Sequence, residues 1–272
     1  MDQDVGAEQV EGYAVETFDP SHAISVGVYS FPRSGNRWLR TILAAGMGIP
    51  DLPEATDRFL IDLAKEAPLR RGWHLAGRDW FFYKSHHKQI AVDAAGDPVP
   101  TNKVIYIHRD PLDVFVSYLN FLSKNVDNEA GRRSGFRIES VDQISEAQME
   151  RLLARWIADA TLFPNNKKFG GYFEHVGLAR ARAEAGEPIF ILRYEDLKQK
   201  FDETVTQMFD FLDLPGIDTT AVFDLADVHT KRDGRMAWKR KSGTYREYLT
   251  EDQIRRFALV YADELAELGY SY

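Results

Sequence analysis

The sequence predicts an α/β fold in which a central, mostly parallel sheet is flanked by helices in three layers. Three stretches carry this prediction, because each is rich in alternating apolar or β-branched residues and then runs into a segment with helical spacing. The predicted strands cover residues 24–30, 103–108 and 188–193. Repeated strand-to-helix units favour parallel strands with helices packed on the sheet. In such sheets ligands bind at the carboxyl ends of the strands.

The loop after the first strand reads SFPRSGNRWLR and is similar to a phosphate-binding P-loop. The helix that follows is expected to end near Gly46. A Walker A loop places a Lys and then a Ser or Thr after its last glycine, and that hydroxyl binds Mg²⁺. Here Gly35 is followed by Asn36 and Arg37, so the metal-binding hydroxyl is missing. The sequence therefore predicts a P-loop-like anion site that holds something other than a magnesium nucleotide.

The second unit has a well-defined helix start. Arg109 ends the strand, Asp110 is placed to cap the helix, and Pro111 suits the first helical position. Asp113 stands where the acid of a capping box is expected. Ser117 lies almost two full turns beyond the cap and shares its side of the helix, so Arg109 and Ser117 could hold one anion. The alternative is that Arg109 pairs with a nearby acid and Ser117 is a tolerated polar position. The expected buried stripe is Leu112, Phe115, Val116, Leu119 and Leu122.

Composition limits the class of protein. The chain has 272 residues, of which 44% are hydrophobic and 28% charged, as is ordinary for a globular protein with a full core. The absence of cysteine excludes disulfides, thiolate metal sites and Cys nucleophiles. A net charge of -8 argues against broad nucleic-acid binding, because that needs a basic surface. Any anion site must therefore be local.

The N-terminal stretch is acidic and lacks the basic start and apolar run of a signal peptide. No stretch approaches the roughly 18 apolar residues of a membrane span. The predicted location is therefore cytoplasmic. Residues 1–22 are expected to form a flexible acidic segment, and residues 23–272 a single domain.

Several short stretches occur in an order that is typical of one family. FPRSGNRW follows the first strand, KSH occupies residues 84–86, and RDPLDVFVSY, GYFEHV, RYEDLK and KRKSGTYREYLT follow along the chain. From about residue 24 to about residue 257, this ordered set resembles the cytosolic and bacterial sulfotransferases that use 3′-phosphoadenosine 5′-phosphosulfate (PAPS). The resemblance implies in-line transfer of a sulfuryl group from PAPS to a hydroxyl or an amine, without a metal.

The resemblance also implies how the loop binds the donor. The backbone N–H groups expected at the 5′-phosphate are those of Ser34, Gly35, Asn36 and Arg37. Arg33 replaces the family's Lys, and it would face the phosphosulfate and stabilise charge on the bridging oxygen as the S–O bond breaks. It cannot act as a general acid, because arginine keeps its proton. Trp38 would stack on adenine or, alternatively, lie in the core under the loop. Tyr194, in RYEDLK, is an implied nucleotide contact.

The implied 3′-phosphate site combines two parts of the chain. Arg109 and Ser117 match the family's Arg and Ser, eight residues apart. The C-terminal glycine and basic stretch supplies Lys239, Arg240, Lys241 and Gly243. Its basic residues are shifted by about two positions relative to the family, so at least one is expected at the solvated surface. Glu251 and Arg255 then depart from a dimer motif of the animal enzymes, which leaves the oligomeric state open.

The acceptor must lose a proton, and histidine suits that task near neutral pH. His86 matches the family's catalytic histidine, and Lys84 lies two residues before it on a predicted strand. Residues two apart face the same side of a strand, so both are expected in the cleft and His87 is expected to point away. The alternative is that the two histidines form a surface turn without chemistry.

The sequence does not identify the acceptor. Segments 49–80 and 124–150 match the family least, so acceptor loops are expected there. Trp73 and Trp80 in the first favour an aromatic or apolar small molecule, whereas GRRSGFR in the second suits an anionic sugar or peptide. Two other classes stay open: a P-loop kinase that uses ATP, and a catalytically silent nucleotide-binding scaffold on the same fold.

Overall fold

The structure is a computed structural model. It describes residues 13–15, 22–49, 60–63, 72–75, 77–93, 95–124, 140–161, 168–232, 239 and 241–272. The GRRSGFR stretch, Arg240 and most of the predicted N-terminal segment lie outside the described residues.

The described strands form one seven-stranded sheet. The strands are β1 (Tyr13–Val15), β2 (Ile24–Tyr29), β3 (Ile61–Asp62), β4 (Gly72–Leu75), β5 (Arg78–Ser85), β6 (Lys103–His108) and β7 (Ile189–Arg193). Their order is β1-β4-β5-β2-β6-β7, with β3 beside β5. Strands β2, β3, β5, β6 and β7 pair in parallel, whereas β4 pairs antiparallel with both β5 and β1. The predicted α/β fold with a mostly parallel sheet is confirmed.

Helices cover both faces of this sheet. In the described part of the chain they are α1 (Asn36–Gly46), α2 (Pro111–Lys124), α3 (Glu146–Asp159), α4 (Tyr172–Glu184), α5 (Tyr194–Gln199), α6 (Phe201–Phe211), α7 (Thr219–Arg232), α8 (Glu251–Val260) and α9 (Ala262–Glu267). Short 3₁₀ turns cover Val141–Gln143 and Thr244–Glu247. Among the described residues, no helix is both long enough and apolar enough to span a membrane.

The first two helices begin and end largely as the sequence predicts. Helix α1 follows Gly35 and ends at Gly46. At the start of α2, Oδ1 of Asp110 accepts hydrogen bonds from the backbone N–H groups of Leu112, at 2.8 Å, and Asp113, at 3.2 Å. Asp110 therefore caps this helix. The predicted apolar stripe of α2 is fully buried.

Two apolar clusters lie on opposite faces of the sheet, and β5 contributes to both. Phe81 and Tyr83 belong to the cluster that includes α2 and α3, whereas Trp80 and Phe82 belong to the cluster that includes α1 and α6. This is the two-residue period of a strand covered on both faces. Trp80 is fully buried, stacks on Phe82, and donates its indole N–H to the carbonyl of Leu75 at 3.1 Å.

The same packing corrects one expectation about the acceptor. Trp73 and Trp80 were natural candidates for an aromatic acceptor pocket, but both are buried in the core cluster on the α1 face. Neither tryptophan therefore supports a preference for an aromatic acceptor. Tryptophans buried between a strand and the helix packed on it stabilise the fold and offer no surface to a ligand.

We expect Gly46→Ala to lower the free energy of unfolding by about 1–3 kcal/mol, the usual range for overpacking a core. A Cβ at Gly46 would lie 2.2 Å from Cζ of Phe209 in α6. Gly177→Ala is the matched control, because a Cβ at this position in α4 meets no described atom within 4 Å. That change should instead raise stability by about 0.5–1 kcal/mol. Urea unfolding of both variants measures the two effects, and equal changes would contradict the packing of α1 on α6.

Candidate functional site

Four parallel strands end at the same edge of the sheet, because β5, β2, β6 and β7 are neighbours with one direction. A polar residue follows each of them: His86 after β5, Ser30 after β2, Arg109 after β6 and Tyr194 after β7. The structure therefore brings together four segments that are far apart in the sequence. This edge is where the predicted site residues collect.

The loop after β2 presents a helix N-terminus that no side chain caps. Gly35 takes a left-handed conformation (φ 101°), and a Cβ there would lie 2.5 Å from Cδ2 of Tyr194, so only glycine fits. Two buried polar atoms beside it, Oγ of Ser34 and Nδ2 of Asn36, have no hydrogen-bond partner among the described residues. Backbone N–H groups in the first turn of a helix favour an anion. The loop has the donors that an anionic group needs.

Arg33 precedes this turn and lies against α2. Its backbone is also left-handed (φ 73°). Its Nε donates to Oγ of Ser117 at 3.2 Å, and its guanidinium lies over the ring of Phe121, 5.2 Å from the centroid. Burial and the charge of Arg109 lower the pKa of Arg33 to about 10. The sequence predicts Arg33 at the phosphosulfate, whereas the structure brings it to the serine that is predicted for the 3′-phosphate.

Arg109 is held from three directions. Its Nη2 donates to the carbonyl of Lys241 at 2.7 Å and to Oδ2 of Asp113 at 3.2 Å. Its guanidinium lies over the ring of Tyr194, 4.5 Å from the centroid. Its Nε is buried and has no hydrogen-bond partner within the described ranges. A guanidinium fixed in this way, with a buried donor still to be satisfied, is suited to binding an anion.

Asp113 does not form the predicted capping box. Its carboxylate accepts hydrogen bonds from the backbone N–H groups of Gly243, at 2.8 Å, and Tyr245, at 3.1 Å, in addition to Arg109. The physical reason is burial, since a buried carboxylate needs several donors and the C-terminal turn supplies them. Sequence reasoning missed this role, because the partners lie about 130 residues away from Asp113.

The C-terminal basic residues divide between the site and the surface. Nζ of Lys239 forms an ion pair with Glu247 and lies over the ring of Tyr248, 4.6 Å from the centroid. Lys241 is exposed, and its contact with the site is its backbone carbonyl. Gly243 is left-handed (φ 76°) and donates to Asp113. Lys239 therefore matches the expectation that at least one of these basic residues lies at the surface.

The predicted adenine-stacking residue is deeply packed. Trp38 is 7% exposed and makes an edge contact with Tyr194, with 5.6 Å between the ring centroids. Phe201 packs on it at 6.2 Å. Its neighbours are those of a core aromatic under the loop, the alternative reading of this residue. Stacking of Trp38 on adenine stays a prediction.

The structure defines the protonation pattern of His86. Its Nδ1 lies 2.9 Å from the carbonyl oxygen of Ser30. A carbonyl oxygen only accepts, so Nδ1 carries the proton and Nε2 keeps its lone pair. Burial, followed by the charge of Lys84, lowers the pKa of His86 to about 3. The imidazole is therefore neutral at physiological pH, with Nε2 able to take up a proton.

Lys84 lies close enough to His86 to lower its pKa, and it also pairs with an acid. Nζ of Lys84 lies 2.8 Å from Oδ2 of Asp62, which stands opposite it in the register of β3 and β5. Sequence reasoning missed Asp62, because β3 has only two residues and so short a stretch does not predict which strand it pairs with. His87 differs from His86: its backbone N–H donates to Oγ of Ser85, and its Nδ1 accepts from the backbone N–H of Gln89. It belongs to the turn after β5.

A second histidine supports the first. Nε2 of His175, in α4, lies 3.1 Å from the carbonyl oxygen of His86, so that nitrogen carries the proton. Nδ1 of His175 then accepts from the hydroxyl of Tyr106 at 2.6 Å. His175 is buried. It holds the backbone of His86, a role that the GYFEHV stretch alone did not reveal.

Among the described residues, no group of three or more His, Asp or Glu side chains is arranged to hold a metal ion.

Comparison with known proteins finds sulfotransferases as sequence relatives of this chain. The chain is 24% identical to flavonol 3-sulfotransferase of Flaveria bidentis over 209 residues, which cover 72% of this chain and 58% of that protein. It is 29% identical to cytosolic sulfotransferase 15 of Arabidopsis thaliana over 117 residues, which cover 43% of this chain and 27% of that protein. The alignments thus span less than two thirds of these relatives' length.

The similarity to solved structures covers more of this chain than the sequence alignments do. A mouse sulfotransferase complexed with adenosine 3′,5′-bisphosphate (PAP) superposes with a TM-score of 0.60 at 18% identity, covering 92% of this chain and 88% of that one. A retinol dehydratase in complex with androsterone and the inactive cofactor PAP superposes with a TM-score of 0.60 at 18% identity, covering 94% and 84%. A family model described as "Sulfotransferase domain" matches residues 24–269. The chain therefore belongs to the sulfotransferase family.

Proposed function

We propose that this chain transfers the sulfuryl group of PAPS to a hydroxyl group, or an amine, of an acceptor. The observation that carries the proposal is the hydrogen bond from Arg33 to Ser117 beside an uncapped helix N-terminus. Arg109 immediately precedes the capping residue of the helix that carries Ser117, and its buried Nε has no hydrogen-bond partner among the described residues. PAPS carries its charge on two separated groups, a 5′-phosphosulfate and a 3′-phosphate. The loop donors with Arg33 suit the first group, and Arg109 with Ser117 suits the second.

In the proposed reaction the acceptor oxygen attacks sulfur as its proton passes to Nε2 of His86. A bond forms between the acceptor oxygen and sulfur, and the bond from sulfur to the bridging oxygen breaks, which releases adenosine 3′,5′-bisphosphate (PAP). Ser30 fixes the tautomer of His86 that this step requires. The loop N–H groups and the ammonium of Lys84 are the groups available to stabilise charge on the leaving oxygen.

The relatives support a small acceptor. Three of the relatives are named for flavonols, and a structural neighbour was solved with androsterone. We therefore propose a small hydroxylated molecule over the sugar or peptide that the sequence left open. Relatives named cytosolic sulfotransferases support a cytoplasmic location. No observation favours the ATP-dependent kinase. A silent scaffold would not need four residues of the family pattern together, and this chain has all four: Lys84, His86, Arg109 and Ser117.

The first test is nucleotide binding. PAP should bind without metal and far more tightly than AMP, and Arg109→Ala should weaken PAP binding at least about tenfold, because charge-assisted hydrogen bonds are worth about 1.5–3 kcal/mol. Lys239→Ala is the matched control and should change little, since its ammonium lies on Glu247. Calorimetric titration measures both, with melting curves to check folding. Equal affinity for AMP and PAP, or tight binding of ATP only with Mg²⁺, would contradict the proposed function.

The second test concerns the base. His86→Ala should lower kcat about 10²–10⁴-fold with an alcohol acceptor and leave PAP affinity nearly unchanged, because general base catalysis acts in the transition state. His87→Ala is the matched control and should retain nearly full activity, since His87 belongs to the neighbouring turn. Transfer from labelled PAPS measures kcat. If both variants lose activity equally, another residue is the base.

The pH dependence follows from the lowered pKa of His86. Only neutral imidazole accepts a proton, and with a pKa of about 3 the ring stays neutral from about pH 6 to 8. The kcat for an alkyl alcohol acceptor should therefore be flat over this range and fall only in acid. An alcohol is required, because a phenol would add its own ionisation. A rise centred near pH 6.5, retained in His87→Ala, would show that the protein does not hold His86 neutral.

A further inference from the structure

A chain of hydrogen bonds joins two buried side chains to the backbone of His86. The hydroxyl of Tyr106, on β6, lies 2.6 Å from Nδ1 of His175 in α4, and Nε2 of His175 lies 3.1 Å from the carbonyl oxygen of His86. Tyr106 and His175 are both buried. The ring of Phe31, the residue after Ser30, makes an edge contact with His175, with 5.8 Å between the ring centroids. His175 therefore contacts both chain segments that meet at His86.

The chemistry of these groups allows only one direction for the hydrogen bonds. The carbonyl oxygen of His86 only accepts, so Nε2 of His175 carries a proton. Burial lowers the pKa of His175 to about 4, and the neutral ring has no second proton for Nδ1. Tyr106 must therefore donate, and burial raises the pKa of Tyr106 well above its ordinary value, so the hydroxyl keeps its proton. The hydroxyl of Tyr106 thus selects the tautomer of His175 that can hold His86.

The peptide unit after His86 is held on both of its sides. Its carbonyl accepts from His175, and its N–H group, which belongs to His87, donates to Oγ of Ser85 at 3.0 Å. The ring of His86 is held separately, because its Nδ1 donates to the carbonyl of Ser30 at 2.9 Å. With its backbone and its ring both bound, His86 presents Nε2 in a single direction.

We propose that His175 and Tyr106 are positioning residues for the base of the proposed reaction, because they hold the peptide of His86 where its Nε2 can reach the acceptor. This inference rests on the proposed function. Neither residue needs to touch the donor or the acceptor, since both act through the backbone of His86. A displacement of about 1 Å at a reacting group can lower a rate about 10²-fold. A hydroxyl on β6, two hydrogen bonds away from His86, therefore influences the rate of transfer.

The first measurement is kcat for transfer from labelled PAPS to an alkyl alcohol. Tyr106→Phe removes one hydroxyl, and His175→Leu removes the whole link to His86. Both should lower kcat about 10–10²-fold and leave PAP affinity within about twofold. His175→Gln should keep most of the activity, because its amide N–H can donate to the same carbonyl. Tyr83→Phe is the matched control and should turn over like the wild type, since its hydroxyl is also buried but contacts Thr101.

A second measurement needs no acceptor. With isotopically labelled histidine, nuclear magnetic resonance reports which ring nitrogen of His175 carries a proton. The wild type should show a protonated Nε2, and Tyr106→Phe should give a mixture of the two neutral tautomers, because the donor to Nδ1 is gone. His175→Ala identifies the signals of this ring by their loss.

A double variant tests the order of the chain. Tyr106→Phe combined with His175→Leu should have the kcat of His175→Leu alone, because Tyr106 then has nothing to act through. Melting curves report the folding of each variant. Tyr106→Phe, the smaller change, decides the result if His175→Leu does not fold.

The pH profile separates a positioning role from a merely structural one. The wild-type kcat should be flat from about pH 6 to 8, because burial holds the pKa of His86 at about 3. Besides burial, the groups that act on this pKa are Lys84, Ser30, Asp62 and His175. When His175→Leu releases the backbone, the ring can move toward water, and its pKa should rise toward about 6.5. Protonated imidazole accepts no proton, so kcat should then rise with pH over this range, whereas Tyr83→Phe should keep the flat profile.

The outcomes separate this inference from the function beneath it. A wild-type protein that transfers no sulfuryl group from PAPS contradicts the proposed function, and full activity in His86→Ala contradicts the proposed base. If transfer depends on His86 but Tyr106→Phe and His175→Leu turn over like the wild type, only the positioning role is overturned. An equal loss in Tyr83→Phe, or strictly multiplicative effects in the double variant, would overturn it as well, because the effect would then not pass from Tyr106 through His175.

Discussion

The buried carboxylate of Asp113 is the interaction on which this site depends. Its side chain is 0% exposed, and it accepts hydrogen bonds from Arg109 and from the backbone of Gly243 and Tyr245. An ionised carboxylate is stable in such a place only when donors surround it. Arg109 in turn donates to the carbonyl of Lys241. The guanidinium of Arg109 and the C-terminal turn therefore hold each other in place, and neither is positioned without the other.

A second network of polar contacts lies at the same edge of the sheet. It joins the C-terminal residues to the ends of β6 and β7. The hydroxyl of Tyr272 donates to Asp110, and that of Tyr270 donates to Glu195 and lies 3.1 Å from Nδ1 of His108. Burial, together with the charge of Asp113, raises the pKa of Asp110 to about 7. The residues after α9 thus pack on the ends of β6 and β7. This packing buries His108, Asp110 and Glu195 at the ends of these strands.

Backbone carbonyls orient the two histidines near the end of β5. The carbonyl of Ser30 selects the tautomer of His86, and His175 donates to the carbonyl of His86 itself. Lys84 is held by Asp62 across neighbouring parallel strands. His86 and Lys84 are therefore each held in one orientation by groups of the protein itself, the kind of preorganisation on which the proposed catalysis depends. Arg33 is likewise held by α2, through Ser117 and Phe121.

The sequence by itself determined the local features of this protein. Alternating apolar residues predicted β2, β6 and β7, the glycine-containing loop predicted α1, and the cap at Asp110 predicted α2, because each depends on residues close together in the chain. The tertiary structure alone decided the partners of Asp113, the pairing of Lys84 with Asp62, the burial of Trp80 and the direction of Arg33. Each of these depends on segments that meet only after the sheet has formed. Burial then selects their partners, because a buried charge must find donors or acceptors wherever the fold brings them.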